Sequence, residues 1–122
     1  MRVLVIVEDE PDMRLLVRTH LRMDPRLEIV GEASNAADAM EIARTEEPGL
    51  IILDHQIEGD IMGLDAAPAL KAVAPNCKII LFTAFDLSAE AKAEPAIDAY
   101  LSKTKINELL PLAQALLFLP PV

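Results

Sequence analysis

Five residues capable of chemistry stand where apolar runs stop. Glu8 and Asp9 follow Val3 to Val7, Asp54 follows Leu50 to Leu53, Thr83 follows a run ending at Phe82, and Lys103 comes just after Ala99-Tyr100-Leu101. Three carboxylates gathered in one place repel, since two like charges ~4 Å apart cost about 4 kcal/mol at an effective dielectric of about 20. Some cation must share the site. Lys103 supplies one positive charge, and the remainder fits a hard divalent ion with oxygen ligands, Mg²⁺ rather than Zn²⁺. A carboxylate with a metal on one side and an ammonium and a hydroxyl on the other is arranged to attack phosphorus, because both cations neutralise the equatorial oxygens of a transferring phosphoryl group. Asp54 is then the nucleophile. Any one such acid could equally stabilise a helix N-terminus without chemistry; five polar groups on one rim point to a site.

For these residues to meet, the elements before them must lie side by side. Val3 to Val7 is a β-branched run without alternation, as expected of a strand covered on both faces in a parallel sheet. Pro11 opens a helix over about residues 11 to 23, with Met13, Leu16, Val17 and Leu21 at helical spacing, stopped at Asp24-Pro25. Leu27 to Ala33 reads as an edge strand, and Ser34 or Asn35 caps a helix carrying Ala36, Ala39, Met40 and Ala43. Leu50 to Leu53 is a buried strand, followed by a loop from His55 to Gly63. A third helix is expected from about Leu64 or Ala66 to Val73, in which Pro68 is tolerable only in the first turn. Lys78 to Phe82 is the fourth strand, Ser88 to Glu94 a short helix, and Ala99 to Leu101 the fifth strand. Thr104 is the expected cap of a last helix, with a kink at Pro111.

Strands alternating with helices predict an α/β fold: a doubly wound five-stranded parallel sheet, joined by right-handed crossovers. In the order 2-1-3-4-5 the first and third strands are neighbours, and ligands bind at their carboxyl ends. The bulk properties agree. A chain of 122 residues, 52% hydrophobic with mean hydropathy +0.30, is one domain with a well-filled core. With eighteen alanines and 3% aromatics, that core should be aliphatic. The net charge of −9 has the wrong sign for a phosphate backbone, so direct nucleic-acid contact is not expected. The lone Cys77 reads as a buried hydrophobe in a reduced, cytoplasmic protein. No apolar stretch reaches the ~18 residues of a membrane span, and the first is too short for a signal peptide.

The segments VLVIVEDEPDMR, LIILD, IILFTA and AYLSK, in this order and spacing, resemble the receiver domain of two-component response regulators, the CheY-like family, from about Arg2 to Leu117. The resemblance implies a flavodoxin-like (βα)5 sandwich over residues 1–119, with 120–122 a tail or the start of a linker. It implies that Asp54 accepts a phosphoryl group from the phosphohistidine of a sensor histidine kinase or phosphotransfer protein. Asp9 matches a direct Mg²⁺ ligand, Glu8 the neighbouring acid, and the main-chain carbonyl of Gln56 a further ligand beside Asp54. Lys103 matches the lysine that pairs with phosphoryl oxygens, and Ala84 the small residue that leaves the group room. Thr83 and Tyr100 match the pair that switches on phosphorylation. Such a domain catalyses only its own phosphorylation and dephosphorylation and signals to a downstream protein or output domain.

The chain also departs from that family. The loop HQIEGDIMG lacks the usual proline and is one residue longer, Thr104 stands where a cis-proline is common, and the segment between Thr83 and Tyr100 is about two residues short. Phe85 lies where the family tunes access of hydrolytic water and is expected to slow dephosphorylation. His55 and His20 read as structural, and Met13, Met40 and Met62 as packing residues. The apolar end Leu116-Leu117-Phe118-Leu119 has three readings: local packing, a homodimer contact, or the stump of a linker. A pseudo-receiver scaffold acting without phosphorylation and a small metal-dependent phosphohydrolase are the competing functions.

Overall fold

A computed structural model describes the backbone of residues 2–121 and the side chains of residues 7–121. Its elements are β1 (Arg2–Val7), α1 (Pro11–Leu21), β2 (Glu28–Ala33), α2 (Ala36–Glu46), β3 (Leu50–Leu53), α3 (Gly63–Val73), β4 (Lys78–Thr83), α4 (Ser88–Ala93), β5 (Ala99–Ser102) and α5 (Leu109–Leu116), with a 3₁₀ helix (Lys103–Glu108) before the last. All strand pairs are parallel, and the sheet order is β2-β1-β3-β4-β5. The expected topology and the edge position of β2 are both present.

The continuous apolar runs have a simple cause. Successive side chains on a strand point to opposite faces, and each face here has its own core. Ile51, Leu53, Ile79 and Leu81 face the layer built on α2, α3 and α4, with Ala39, Ala43, Ala67 and Leu70 among their neighbours. Leu50, Ile52, Ile80 and Phe82 face α1 and α5, packing with Val17, Leu21, Leu109 and Ala113. Each fully buried Leu or Ile contributes roughly 1.5–3 kcal/mol, so polar residues are excluded until the strand leaves the sheet. The burial expected of Val3 to Ile6 falls on side chains outside the described residues. Cys77 is buried as expected, and burial pushes its thiol pKa up.

Small residues let the layers close. A Cβ on Gly31 would lie 2.7 Å from Ile42 Cγ2, so glycine at this point of β2 is what lets α2 settle on the edge strand. Asn35 caps α2 by accepting from the Asp38 N–H at 2.8 Å. At the opposite end of the sheet the Asp24 carboxylate, fully buried after α1, accepts from Arg26 Nη2 at 2.8 Å and Gln114 Nε2 at 3.1 Å. The Arg26 hydrogen bond holds this carboxyl well below the usual carboxylate range despite the opposing effect of burial. It ties the turn after α1 to α5.

Several local expectations are corrected. The third helix starts at Gly63, so Pro68 sits in its interior rather than its first turn. Pro68 is exposed there, so its ring meets solvent rather than the core. Thr104 caps no α-helix: Ser102 caps the 3₁₀ helix, accepting from the Thr104 N–H at 3.3 Å. The break before α5 comes at Lys105, whose φ and ψ of −111° and 38° are non-helical. Pro111 does not kink the helix, because it falls in the first turn of α5, where its absent N–H has no partner to lose. No cis peptide occurs among the described residues, so the Lys103–Thr104 bond is trans. Met13 and Met40 pack as expected while Met62 is exposed, and Leu116, Leu117 and Leu119 pack locally while Phe118 projects into solvent.

Candidate functional site

The ladder carries its registration one residue past the strands. Val7 pairs with Leu53 and Leu53 with Leu81, and beyond them the Glu8 N–H donates to Ala33 O and the Asp54 N–H to Val7 O, each at 2.9 Å. Glu8 and Asp54 are thus held side by side by the backbone, and the two residues are 2% and 4% exposed. Thr83 pairs with Ser102 across β4 and β5, which brings Lys103 to the same rim.

Lys103 Nζ lies 2.6 Å from Glu8 Oε1 and 2.8 Å from Asp54 Oδ2. Carboxylate oxygens of Glu8, Asp9 and Asp54 lie within 4.8 Å of one another. The sequence-predicted acids and lysine are therefore brought together. Other contacts fix them: Glu8 Oε2 accepts from the Glu10 N–H at 3.1 Å, Glu8 O from Arg14 Nη1 at 2.8 Å, and Asp54 Oδ1 from the His55 N–H at 2.7 Å.

Three carboxylates share the site with one ammonium, so negative charge is in excess. Burial pushes the Glu8 carboxyl up to about 7, outweighing its hydrogen bonds to Lys103 and the Glu10 N–H, and the Asp54 charge adds to the rise. Burial works against the Lys103 ammonium, but hydrogen bonds to Asp54 and Glu8 exceed it and leave its pKa raised. A hard divalent cation fits this all-oxygen set in both charge and ligand type.

Among the described residues, the remaining predicted ones make no side-chain hydrogen bond or ion pair to the cluster. Thr83 is fully buried, and its Oγ1 accepts a long hydrogen bond from the Phe85 N–H at 3.4 Å. Tyr100, half-buried, donates through its hydroxyl to Phe85 O at 2.7 Å. Ala84 is exposed beside Thr83, and the Gln56 side chain is exposed two residues past Asp54.

The long loop after β3 is well anchored. Ile57 is buried, the Glu58 N–H donates to Ser34 O at 2.8 Å, and the Gly63 N–H donates to His55 O at 2.8 Å. Two features of this loop escaped the sequence reading. A Cβ on Gly63 would lie 1.8 Å from the Asp54 carbonyl oxygen, so only glycine lets α3 begin against the site. A glycine at a loop-to-helix junction was the available signal. The second is His55, whose Nδ1 accepts from the Leu64 N–H at 3.3 Å; nothing in the residue order announces that bond.

With this geometry established, comparison with known proteins identifies the family. A family model described as the response regulator receiver domain matches residues 4–114, and the chain belongs to that family. The nitrate/nitrite response regulator protein NarP of Escherichia coli (strain K12) is 36% identical over 108 residues, which cover 87% of this chain and 50% of that protein. The Thermotoga maritima response regulator TrrA, solved in complex with Mg(2+)-BeF, is 30% identical with a TM-score of 0.82, over 95% of this chain and 99% of that one. A DNA-binding response regulator of the LuxR family from Staphylococcus aureus is 25% identical with a TM-score of 0.78, over 95% and 98% of the two chains. That relative narrows the expectation about nucleic acid: the charge of −9 describes this chain's own surface, and does not exclude DNA from the work of the family. The chain spans about half the length of the curated relatives it matches. Among the described residues no helix is long and apolar enough to cross a membrane.

Two outcomes follow from the site. Gly63→Ala forces a methyl group onto the Asp54 carbonyl and is expected to destabilise the fold by at least about 2 kcal/mol, measured by chemical denaturation. Glu8 has a folded pKa of about 7 against the usual 4.5, so between those values the folded chain holds a proton that the unfolded chain releases. Its contribution to stability is whole below pH 4.5 and is lost as the pH rises through 7. In metal-free buffer the wild type is therefore expected to lose on the order of 1–3 kcal/mol relative to Glu8→Gln between about pH 4.5 and 7.5. Denaturant titrations across that range measure the difference, and parallel profiles would mean that folding leaves the Glu8 pKa at its usual value.

Proposed function

We propose that this chain is a phosphoacceptor switch. Asp54 takes a phosphoryl group from the phosphohistidine of a sensor histidine kinase or phosphotransfer protein, and the product changes protein contacts around Thr83 and Tyr100. The observation that carries the reading is the Lys103 ammonium bonded to both Asp54 and Glu8 inside a cluster of three carboxylates. In the transfer the donor P–N bond breaks and a P–O bond forms to an Asp54 carboxylate oxygen, giving an acyl phosphate. Glu8, Asp9, Asp54 and the main-chain carbonyl of Gln56 would hold a Mg²⁺ ion, which would neutralise charge on the transferring group.

The chain's own residues do the rest. Lys103 is drawn from its shared position toward the phosphoryl oxygens, stabilising the charge that Asp54 acquires. Ala84 has no side chain beyond Cβ and leaves room beside Thr83. The Thr83 hydroxyl, held only by a long bond to the Phe85 N–H, turns to a phosphoryl oxygen, and Tyr100 is released from Phe85 O. The state so selected is a shift between two populations. Catalysis is confined to the domain's own phosphorylation and dephosphorylation, and Phe85 slows the latter by limiting water.

Residues 1–119 form the receiver unit, with 120–122 a tail or the start of a linker. The partners are the kinase and a downstream protein or output domain, in the cytoplasm. The half-length match to curated relatives supports an output beyond the receiver fold.

Incubation with acetyl phosphate and Mg²⁺ is expected to add one phosphoryl mass to the wild type and none to Asp54→Ala. Label retained in that variant would move the acceptor elsewhere. Phe85→Ala, labelled in the same way, is expected to lose its phosphoryl group faster than the wild type; an equal half-life would remove Phe85 from the control of hydrolysis.

A further inference from the structure

His55 has no part in the chemistry above, yet its backbone and ring are all engaged. Its N–H donates to Asp54 Oδ1, its carbonyl accepts from the Gly63 N–H, and its Nδ1 accepts from the Leu64 N–H. The first N–H groups of a helix have no partner within it, so the imidazole satisfies one of them in α3 and cannot turn without giving it up. Locked in this way, the ring meets Phe85 edge to face, with centroids 6.4 Å apart and planes at 80°. Phe85 is 47% exposed, and His55 is its aromatic neighbour among the described residues. The Phe85 carbonyl in turn accepts the Tyr100 hydroxyl.

We propose that His55 is a positioning residue: clamped by the first turn of α3, it holds Phe85 in place and thereby sets the resting position of Tyr100. A line of contacts then joins the end of β3 to the tyrosine without passing through the Thr83 hydroxyl. The inference rests on the phosphoacceptor reading only for what moves this line in the cell; the line itself belongs to the resting protein. Two substitutions separate its parts. His55→Phe keeps a ring against Phe85 and loses the acceptor for Leu64, whereas His55→Asn keeps an acceptor and loses the ring.

The chain contains one tyrosine and no tryptophan, so tyrosine emission reports Tyr100 alone. Acrylamide quenching of that emission in the full chain is expected to rise about twofold or more in His55→Ala and His55→Asn, the scale on which an edge-to-face aromatic pair shifts an equilibrium. His55→Phe, which keeps a ring but loses its clamp, is expected to quench between the wild type and His55→Ala. Unchanged quenching in His55→Ala, wild-type quenching in His55→Asn, or wild-type quenching in His55→Phe would each overturn the proposal. Should His55→Ala fail to fold by circular dichroism, the Phe and Asn variants decide. Failure of the wild type to take up phosphate from acetyl phosphate would remove the phosphoacceptor reading and leave the quenching pattern as the test of His55.

Discussion

A single ammonium shared between two buried carboxylates organises this molecule. Lys103 reaches Glu8 and Asp54 only because β1, β3 and β5 are stacked in a sheet whose order differs from their order in the chain, and because the ladder bonds of Glu8 and Asp54 extend the registration beyond the last apolar residues. The interaction is also incomplete, since one positive charge cannot satisfy three negative ones at low dielectric. Burial raises the Glu8 pKa, and the neighbouring Asp54 charge adds to the rise. A cluster in this condition gains from a divalent cation and from anything that redistributes the lysine, which is the property a reversible acceptor of charge requires.

The sheet and the rim were legible because a strand buried on both faces leaves a strong imprint. Leu50 to Leu53 can be nothing else, and the polar residue that ends it must lie where the strand leaves the core. The same logic placed Glu8, Thr83 and Lys103 without any knowledge of the pairing distances. Helix interiors were harder. Pro68 reads as a first-turn residue by its chemistry, but the close approach of Gly63 to the Asp54 carbonyl starts the helix earlier. Thr104 is a good cap by type, yet Ser102 takes that role two residues upstream, and a 3₁₀ segment intervenes.

The side chains that join loops to one another left no periodic trace. His55 sits in a loop, where neither a period of 2 nor of 3.6 applies, and its bonds depend on where α3 begins. Phe85 is similar: its exposure and its two neighbours come from the meeting of three separate segments. Such contacts are set by tertiary structure alone.

The division of β3 and β4 between two cores has a consequence for how chain length can vary. An extra residue inside either strand would exchange every side chain between the two layers at once and carry Asp54 or Thr83 off the rim. A loop that hangs from a few fixed points, as 55–62 does from Ile57, Glu58 and Gly63, absorbs an added residue between its anchors. Changes in length are thereby absorbed by the loops rather than the strands, so the same architecture can vary around a reactive centre that stays put.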